Sequence, residues 1–260
     1  MSYHPDSIRL NKAISDSGFC SRRQADTYIE KGLVTINGEV AGLGDRVMPE
    51  DEIKVGGKRI TENENLVYIA LNKPVGITCT TDTRIKGNVV DFINHKERIF
   101  HIGRLDKPSE GLLLMTNDGD IVNKILRAGN EHEKEYIVKV DRPITEEFLQ
   151  RMRNGIYLKE LETVTKKCVV EKVSRFVFRI ILVQGLNRQI RRMCEYLEYE
   201  VISLQRIRIM NVELGNLPVG KWRDLTKEEL KGLKVAIQDS DNSSFVDVQE
   251  KKETGNRKRV

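Results

Sequence analysis

Three segments of the 260-residue chain bring together residue types that can do chemistry. The first, HIGRLDKPSEGLLLMTNDG (101–119), sets Asp106 near Arg104 and beside Lys107, in a loop bounded by glycine and proline just ahead of an apolar run. A carboxylate beside cations, on a loop held by a rigid sheet, is placed for nucleophilic or proton-transfer work. The plainer alternative is an aspartate that caps a turn. The second, EKEYIVKV (133–140), carries Tyr136 into an alternating strand, on the same face as Val138 and Val140. Alone it reads as a core tyrosine with a satisfied hydroxyl. The third, QGLNRQIRRM (184–193), places Arg188, Arg191 and Arg192 within five residues, with no acid until Glu195. Arg188 shares a helical face with Arg191 or Arg192. A helix start after a strand and a glycine, carrying guanidinium groups, favours a phosphate or carboxylate partner over a merely solvated turn.

These residues need a scaffold, and the pattern of the chain supplies one. Strands are predicted over 66–71, 112–115, 135–140, 164–171, 176–183 and 201–209. Helices are predicted from about Gly119 to Arg127, after Thr145 through Phe148, Leu149 and Met152, and from about Arg188 to Leu197. Thr226-Lys-Glu-Glu229 is a capping box that opens a last short helix. Strands and helices interleave without a βαβ repeat, so the fold class is α+β.

The first 60 residues form a pattern of their own. Leu10–Ser17 reads as a helix stopped by Gly18, and Ser21-Arg22-Arg23-Gln24 is a second capping box. Ala25, Tyr28 and Ile29 follow on one helical face, and Gly32 ends the helix. Asn37-Gly38 and Gly56-Gly57 mark two hairpins. Lys12, Arg22, Arg23 and Lys31 make a basic cluster suited to an RNA backbone. Residues 1–60 nevertheless hold nine basic and nine acidic side chains, so a binding face there requires segregation of charge. The whole chain carries 44 basic and 39 acidic residues, which excludes a histone-like polycation. No signal peptide is visible, and no run of about 18 apolar residues occurs. Cys20, Cys79, Cys168 and Cys194 form no C-x-x-C pair, and four scattered histidines give a zinc site little support. Reduced thiols in a cytoplasmic protein are expected.

Taken together, the segments resemble RNA pseudouridine synthases of the ribosomal small-subunit synthase A family and its large-subunit relatives. SRRQADTYIEKGLVTING (21–38) looks like an S4 RNA-binding domain; ALNKPVGI (70–77), GRLDKPSEGLLLMTNDG (103–119), EKEYIVKV (133–140) and GLNRQIRRM (185–193) resemble the ordered motifs of the catalytic domain. The likeness covers residues 8–233 and is closest to the synthase F branch, which acts on 23S rRNA, through RAGNEHEKEY, VTKKC, GLNRQIRRM and RIRIMNV. It departs at Ser109, where many relatives have threonine, and at Asn187-Arg188, where an aromatic–histidine pair is common.

TENEN (61–65) is polar without apolar periodicity and reads as a linker, and the polar end reads as a disordered tail (234–260) whose Arg257–Arg259 stretch is a solvated end or an auxiliary RNA contact. The resemblance implies a small α/β S4-like domain (1–60) and a mixed, mostly antiparallel-sheet catalytic domain (66–233). It implies that uridine is flipped from its stack and isomerised. Asp106 is then the indispensable carboxylate, acting at C1′ as nucleophile or on the 2′ proton to give a glycal. Tyr136 packs on the base, Arg191 pairs with Asp106, and Arg104 occupies the gap left by the flipped base. Arg22, Arg23, Lys12, Lys31, Arg188 and Arg192 are the remaining RNA contacts. No cofactor and no metal is called for. A monomer acting on 23S rRNA is expected, with 16S rRNA or a tRNA stem-loop as alternative substrates. A non-catalytic S4-type binding protein and a hydrolase using Asp106 with His101 or His132 are the other classes.

Overall fold

The computed structural model describes residues 4, 6–61, 63–126 and 131–238. The chain forms two compact units. The first is built from the chain up to Val67 together with His95–Ile99 and Asn117–Gly119; the second is built from the remainder.

In the first unit the elements are β1 (Ile8–Arg9), α1 (Leu10–Asp16), α2 (Arg22–Glu30), β2 (Val34–Ile36), β3 (Glu39–Val40), β4 (Arg46–Val47), β5 (Ile53–Val55) and β6 (Lys58–Arg59). The sequence punctuation works locally as expected. Ser21 Oγ accepts from the Gln24 N–H at 3.3 Å while Gln24 Oε1 accepts from the Ser21 N–H at 3.0 Å, closing the capping box. Asn37 and Gly38 both take positive φ (51° and 92°), as a two-residue hairpin between β2 and β3 requires. The antiparallel sheet β3-β2-β5-β6 and the two helices bury Leu10, Ile14, Ala25, Ile29, Val34, Ile53 and Val55 as one core. The segment expected as a linker is tied into this unit. The Val67 N–H donates to Asn117 Oδ1 and Asn117 Nδ2 donates to the Asn65 carbonyl, both at 2.8 Å.

The second unit contains β7 (Tyr68–Lys73), α3 (Val89–Ile93), β8 (Phe100–Ile102), β9 (Glu110–Thr116), α4 (Gly119–Leu126), β10 (Lys134–Val140), α5 (Glu146–Asn154), β11 (Tyr157–Leu158), β12 (Thr163–Val164), β13 (Val169–Ser174), β14 (Val177–Leu182), α6 (Gln189–Tyr196), β15 (Val201–Ile209), β16 (Val212–Glu213), β17 (Trp222–Asp224) and α7 (Lys227–Ala236). Its large sheet runs β13-β14-β10-β15-β9-β7-β17, with β16 on β15 and β8 on β9. Among the described residues every pairing in it is antiparallel except β9 with β15. The α+β class with a mixed, mostly antiparallel sheet is therefore borne out.

Among the differences from the sequence reading, three have a local physical cause. The strand expected over 164–171 is split between two partners: Thr163–Val164 pair with β11, the Thr165 N–H donating in the same register to the Ile156 carbonyl at 2.9 Å, while Val169 onward pairs with β14. The short helix α3 is additional; Asn88 caps it by accepting from the Asp91 N–H at 2.8 Å. The last helix passes the expected end at 233. Leu233 and Ile237 both bury into the core with Tyr68, Leu112 and Leu114, which orders the chain through that point. Residues 239–260, including the basic Arg257–Arg259 stretch, lie outside the described residues, as does Arg127.

The parallel junction is where the sheet is tightest. Gly111 of β9 sits opposite Arg206 of β15 with φ +103°. A Cβ on Gly111 would lie 2.7 Å from the Arg206 nitrogen and closer still to its carbonyl oxygen. Only glycine satisfies both the dihedral and the approach. Gly111→Ala is expected to destabilise the protein by at least ~2 kcal/mol, seen as a lowered thermal midpoint by circular dichroism. An unchanged midpoint would show that the two strands can separate at no cost.

Candidate active site

All three chemistry-bearing segments converge in the second unit on one cavity of about 520 Å³, lined among others by Arg104, Asp106, Ser109, Lys134, Tyr136, Arg188, Arg191 and Arg206. That volume lies within the range of small-molecule sites. The Asp106 loop leads directly into β9, and a turn bond from the Ser109 N–H to the Asp106 carbonyl (2.9 Å) shapes it. Leu105 buries beneath the loop while the Asp106 side chain stays 34% exposed at the cavity.

Arg191 reaches this loop from α6. Its Nη2 donates to Ser109 Oγ at 3.1 Å and to the Pro108 carbonyl at 3.2 Å, and its Nη1 donates to the Val201 carbonyl at 3.3 Å. Its Nε lies 3.9 Å from Asp106 Oδ2. At that distance the two are charge neighbours, not hydrogen-bond partners, and Nε makes no hydrogen bond. Burial pushes the Arg191 pKa down, with Arg188 adding to the effect and Asp106 opposing it. Ser109, noted as a departure in the sequence, is thus the hydroxyl that anchors Arg191.

The arginine-rich segment does not present one common basic face. Arg188 begins α6 in a left-handed conformation (φ 52°) and is exposed at the cavity, 3.9 Å from Glu195. Arg191 turns inward among Ile190, Met193 and Cys194. Arg192 points away to pair with Glu160 at 2.9 Å and to donate to the Asn187 carbonyl at 3.0 Å. In the first unit, Arg22, Arg23 and Lys31 are exposed, with Arg22 donating to Asn11 Oδ1 at 3.2 Å. Lys12 pairs with Asp16 at 2.5 Å.

Tyr136 on β10 is buried and stands opposite Arg206 of β15 in the antiparallel register. The opposite face of the same strands carries an ion-pair chain: Glu171–Arg179–Glu135–Arg208–Glu133, at 2.7, 2.5, 2.6 and 2.9 Å. Alternation on β10 sets Glu135 opposite in facing to Lys134 and Tyr136, and the extra residue on β15 at the register shift between the Glu135–Arg208 and Tyr136–Arg206 pairs turns Arg208 to the ladder and Arg206 to the cavity. The sequence reading assigned no role to Lys134 and Arg206, which lie on that cavity face. Among the described residues no group of three or more His, Cys, Asp or Glu is placed to hold a metal ion. No helix among them is long and apolar enough to cross a membrane.

Residues 67–196 match the model of the RNA pseudouridylate synthase family, and residues 8–53 match the S4 domain. The chain belongs to the RNA pseudouridylate synthase family. Its relatives include the dual-specificity RNA pseudouridine synthase RluF of Escherichia coli K12, 58% identical over 98% of this chain and 88% of that protein. The ribosomal large subunit pseudouridine synthase B of Bacillus subtilis is 38% identical over 91% of this chain and 99% of that protein. A crystal structure of a pseudouridylate synthase superposes with a TM-score of 0.66 and 30% identity, covering 87% of this chain and 99% of that one. The protein is thus an RNA pseudouridine synthase carrying an S4 domain. The hydrolase and the non-catalytic binding readings fall with that assignment.

Lys134 is held in the synthase cavity against its own electrostatics. Desolvation, with repulsion from Arg206, pushes its pKa down to about 8, and its Nζ donates to the His132 carbonyl at 3.0 Å. Between about pH 8 and the ordinary lysine value near 10.4, the unfolded chain keeps a proton that the folded chain has released. Raising the pH through that window therefore stabilises the fold, and below pH 8 the full penalty of a buried charge applies. Lys134→Met is expected to be more stable than the parent at pH 7 by about 1–3 kcal/mol, the gap closing as pH rises towards 10. Denaturant melts across pH check this; a gap independent of pH would exclude the buried charge as its cause.

Proposed function

We propose that this synthase isomerises a uridine of 23S rRNA, with Asp106, Tyr136 and Arg191 as its catalytic group. The reading rests on one observation above all: the only carboxylate lining the cavity, among the described residues, has a buried arginine 3.9 Å away and a tyrosine wall beside it. A base must leave its stack to reach such a site. Asp106 then attacks C1′ or takes the 2′ proton, and the C1′–N1 bond breaks. The freed uracil turns and rejoins C1′ through C5, which releases the Asp106 carboxylate from C1′ or returns its proton to C2′; the C5 proton is then lost as N1 gains one. Tyr136 packs on the base throughout. Arg191, fixed by Ser109 and the Pro108 carbonyl, keeps positive charge beside the working carboxylate. Exposed Arg104 at the cavity is placed to fill the gap in the RNA.

The large-subunit name of the Bacillus relative supports ribosomal RNA of the large subunit as substrate. The "dual-specificity" of the Escherichia relative favours a second RNA target, for which a tRNA stem-loop is the candidate. The four cysteines are free thiols, which suits the reducing cytoplasm. For RNA contacts outside the cavity, exposed Arg22, Arg23 and Lys31 of the S4 domain and Arg188 at the cavity rim are the groups in position. Lys12 and Arg192 are already held by Asp16 and Glu160.

Asp106→Asn is expected to abolish tritium release from 5-tritiated uridine RNA while RNA affinity stays within a few-fold of the parent. Turnover near the parent rate would remove Asp106 from the chemistry. Arg22→Ala with Arg23→Ala is expected to weaken RNA binding and to flatten its salt dependence by up to about two units, as filter binding across salt concentrations would measure. Carbodiimide mapping of pseudouridine in rRNA and tRNA from cells lacking the gene identifies the target. The expected result is one missing stop in 23S rRNA that returns on complementation, and an intact 23S pattern would overturn that assignment.

A further inference from the structure

The deepest part of the synthase cavity holds more positive charge than the reading above uses. Arg206 is 3% exposed and Lys134 is 6% exposed, and neither forms an ion pair among the described residues. Lys73, at 0%, is buried nearby with its Nζ on the Pro74 and Ile77 carbonyls at 2.8 and 3.0 Å. Burial lowers the pKa of both lysines; at Lys73 Asp106 and Glu110 oppose the lowering, whereas at Lys134 Arg206 adds to it. Buried cations that repel one another without a counter-charge, as Lys134 and Arg206 do, destabilise a fold. Arg206 is further singled out by its bonding. Its Nε donates to the Leu112 carbonyl at 2.7 Å, which fixes the guanidinium plane, yet Nη2 is buried and has no acceptor. Its guanidinium carbon stands 6.0 Å from the centre of the Tyr136 ring. An oriented donor is therefore left over beside the ring proposed to carry the base.

We propose that Arg206 is a catalytic residue: it donates a hydrogen bond to a carbonyl oxygen of the flipped uracil and stabilises the charge the base acquires as it detaches. This rests on the cavity being the isomerisation site. When C1′–N1 breaks, both bonding electrons stay with the base, giving an N1 anion whose charge spreads onto O2 and O4. C1′ bonds to the Asp106 carboxylate, or the 2′ proton passes to it. When C5 bonds to C1′, the Asp106 carboxylate leaves C1′ or the proton it holds returns to C2′; the C5 proton is then lost as N1 gains one, and the base is neutral again. A donor aimed at a carbonyl oxygen therefore binds the detached anion more strongly than the bound uridine, which is the condition for lowering the barrier. Lys134 adds charge on the same face.

Leaving-group quality separates this role from a structural one. Fluorine at C5 withdraws electrons and makes the detached anion a weaker base, so it needs less help to leave. Arg206→Met should slow single-turnover loss of target uridine by about 10²–10³-fold. With 5-fluorouridine at the target the loss should be roughly tenfold smaller, with RNA affinity unchanged. Arg206→Lys, which keeps the stem, is read by the same ratio if the methionine variant does not fold. Equal losses on uridine and 5-fluorouridine in a folded variant overturn the proposal. Weaker RNA binding with a salt slope reduced by about one and equal losses would make Arg206 a phosphate contact instead. Asp106→Asn separates the levels. If it is inactive while the Arg206 tests fail, the cavity reading stands without this residue; if it is active, the cavity reading itself falls.

Discussion

The parallel contact between β9 and β15 is the constraint on which the rest of the catalytic unit depends. Gly111 lets the Arg206 backbone approach closer than any side chain would allow, inside a sheet whose other pairings are antiparallel. The loop that ends in β9 carries Asp106, and the helix that precedes β15 carries Arg191. Running these two strands in parallel brings both starts to the same end of the sheet. Arg191 can then reach Ser109 and the Pro108 carbonyl across 82 and 83 residues of sequence. On its other edge β15 pairs with β10, which brings Tyr136 opposite Arg206. One close approach thus positions the carboxylate, the cation and the ring together.

Electrostatics divides the same strands into two faces with opposite logic. On one face Glu135 is gripped by Arg179 and Arg208, and each arginine has a second acidic partner. Burial alone would push the Glu135 pKa up, but the two guanidiniums prevail and hold it down. On the cavity face Lys134 and Arg206 repel each other without a carboxylate between them. The first arrangement compensates its charges; the second leaves them for a ligand to compensate. Such local conflict is what a working site costs a fold that is otherwise internally consistent.

Much of the local structure was legible in the chain. The capping boxes at Ser21 and Thr226, the helix start after Thr145 and the hairpin at Asn37-Gly38 all form as read, because each depends on atoms within a few residues. The helix α3 was missed although Asn88 followed by Asp91 is a usable cap signal; its five residues are too few to show a period. The strand over 164–171 was read as continuous because composition does not register that its two ends pair with different strands, β11 and β14. Arg192 was read as an RNA contact from spacing alone, and Glu160, its partner, lies 32 residues upstream.

The chain alone determined the family, the fold class and the three motifs that carry the chemistry, since those are written in residue identity and short spacing. Tertiary structure decided which members of each motif face the cavity. Helix and sheet periodicity can place Arg188, Arg191 and Arg192 on different sides of a turn, but only the neighbouring strands determine which side is inside. The same holds for Arg206, which in the sequence is one basic residue in the strand QRIRI. Its significance arises where β15 meets β9 and β10, because burial, register and an unmet donor are properties of packing between distant segments.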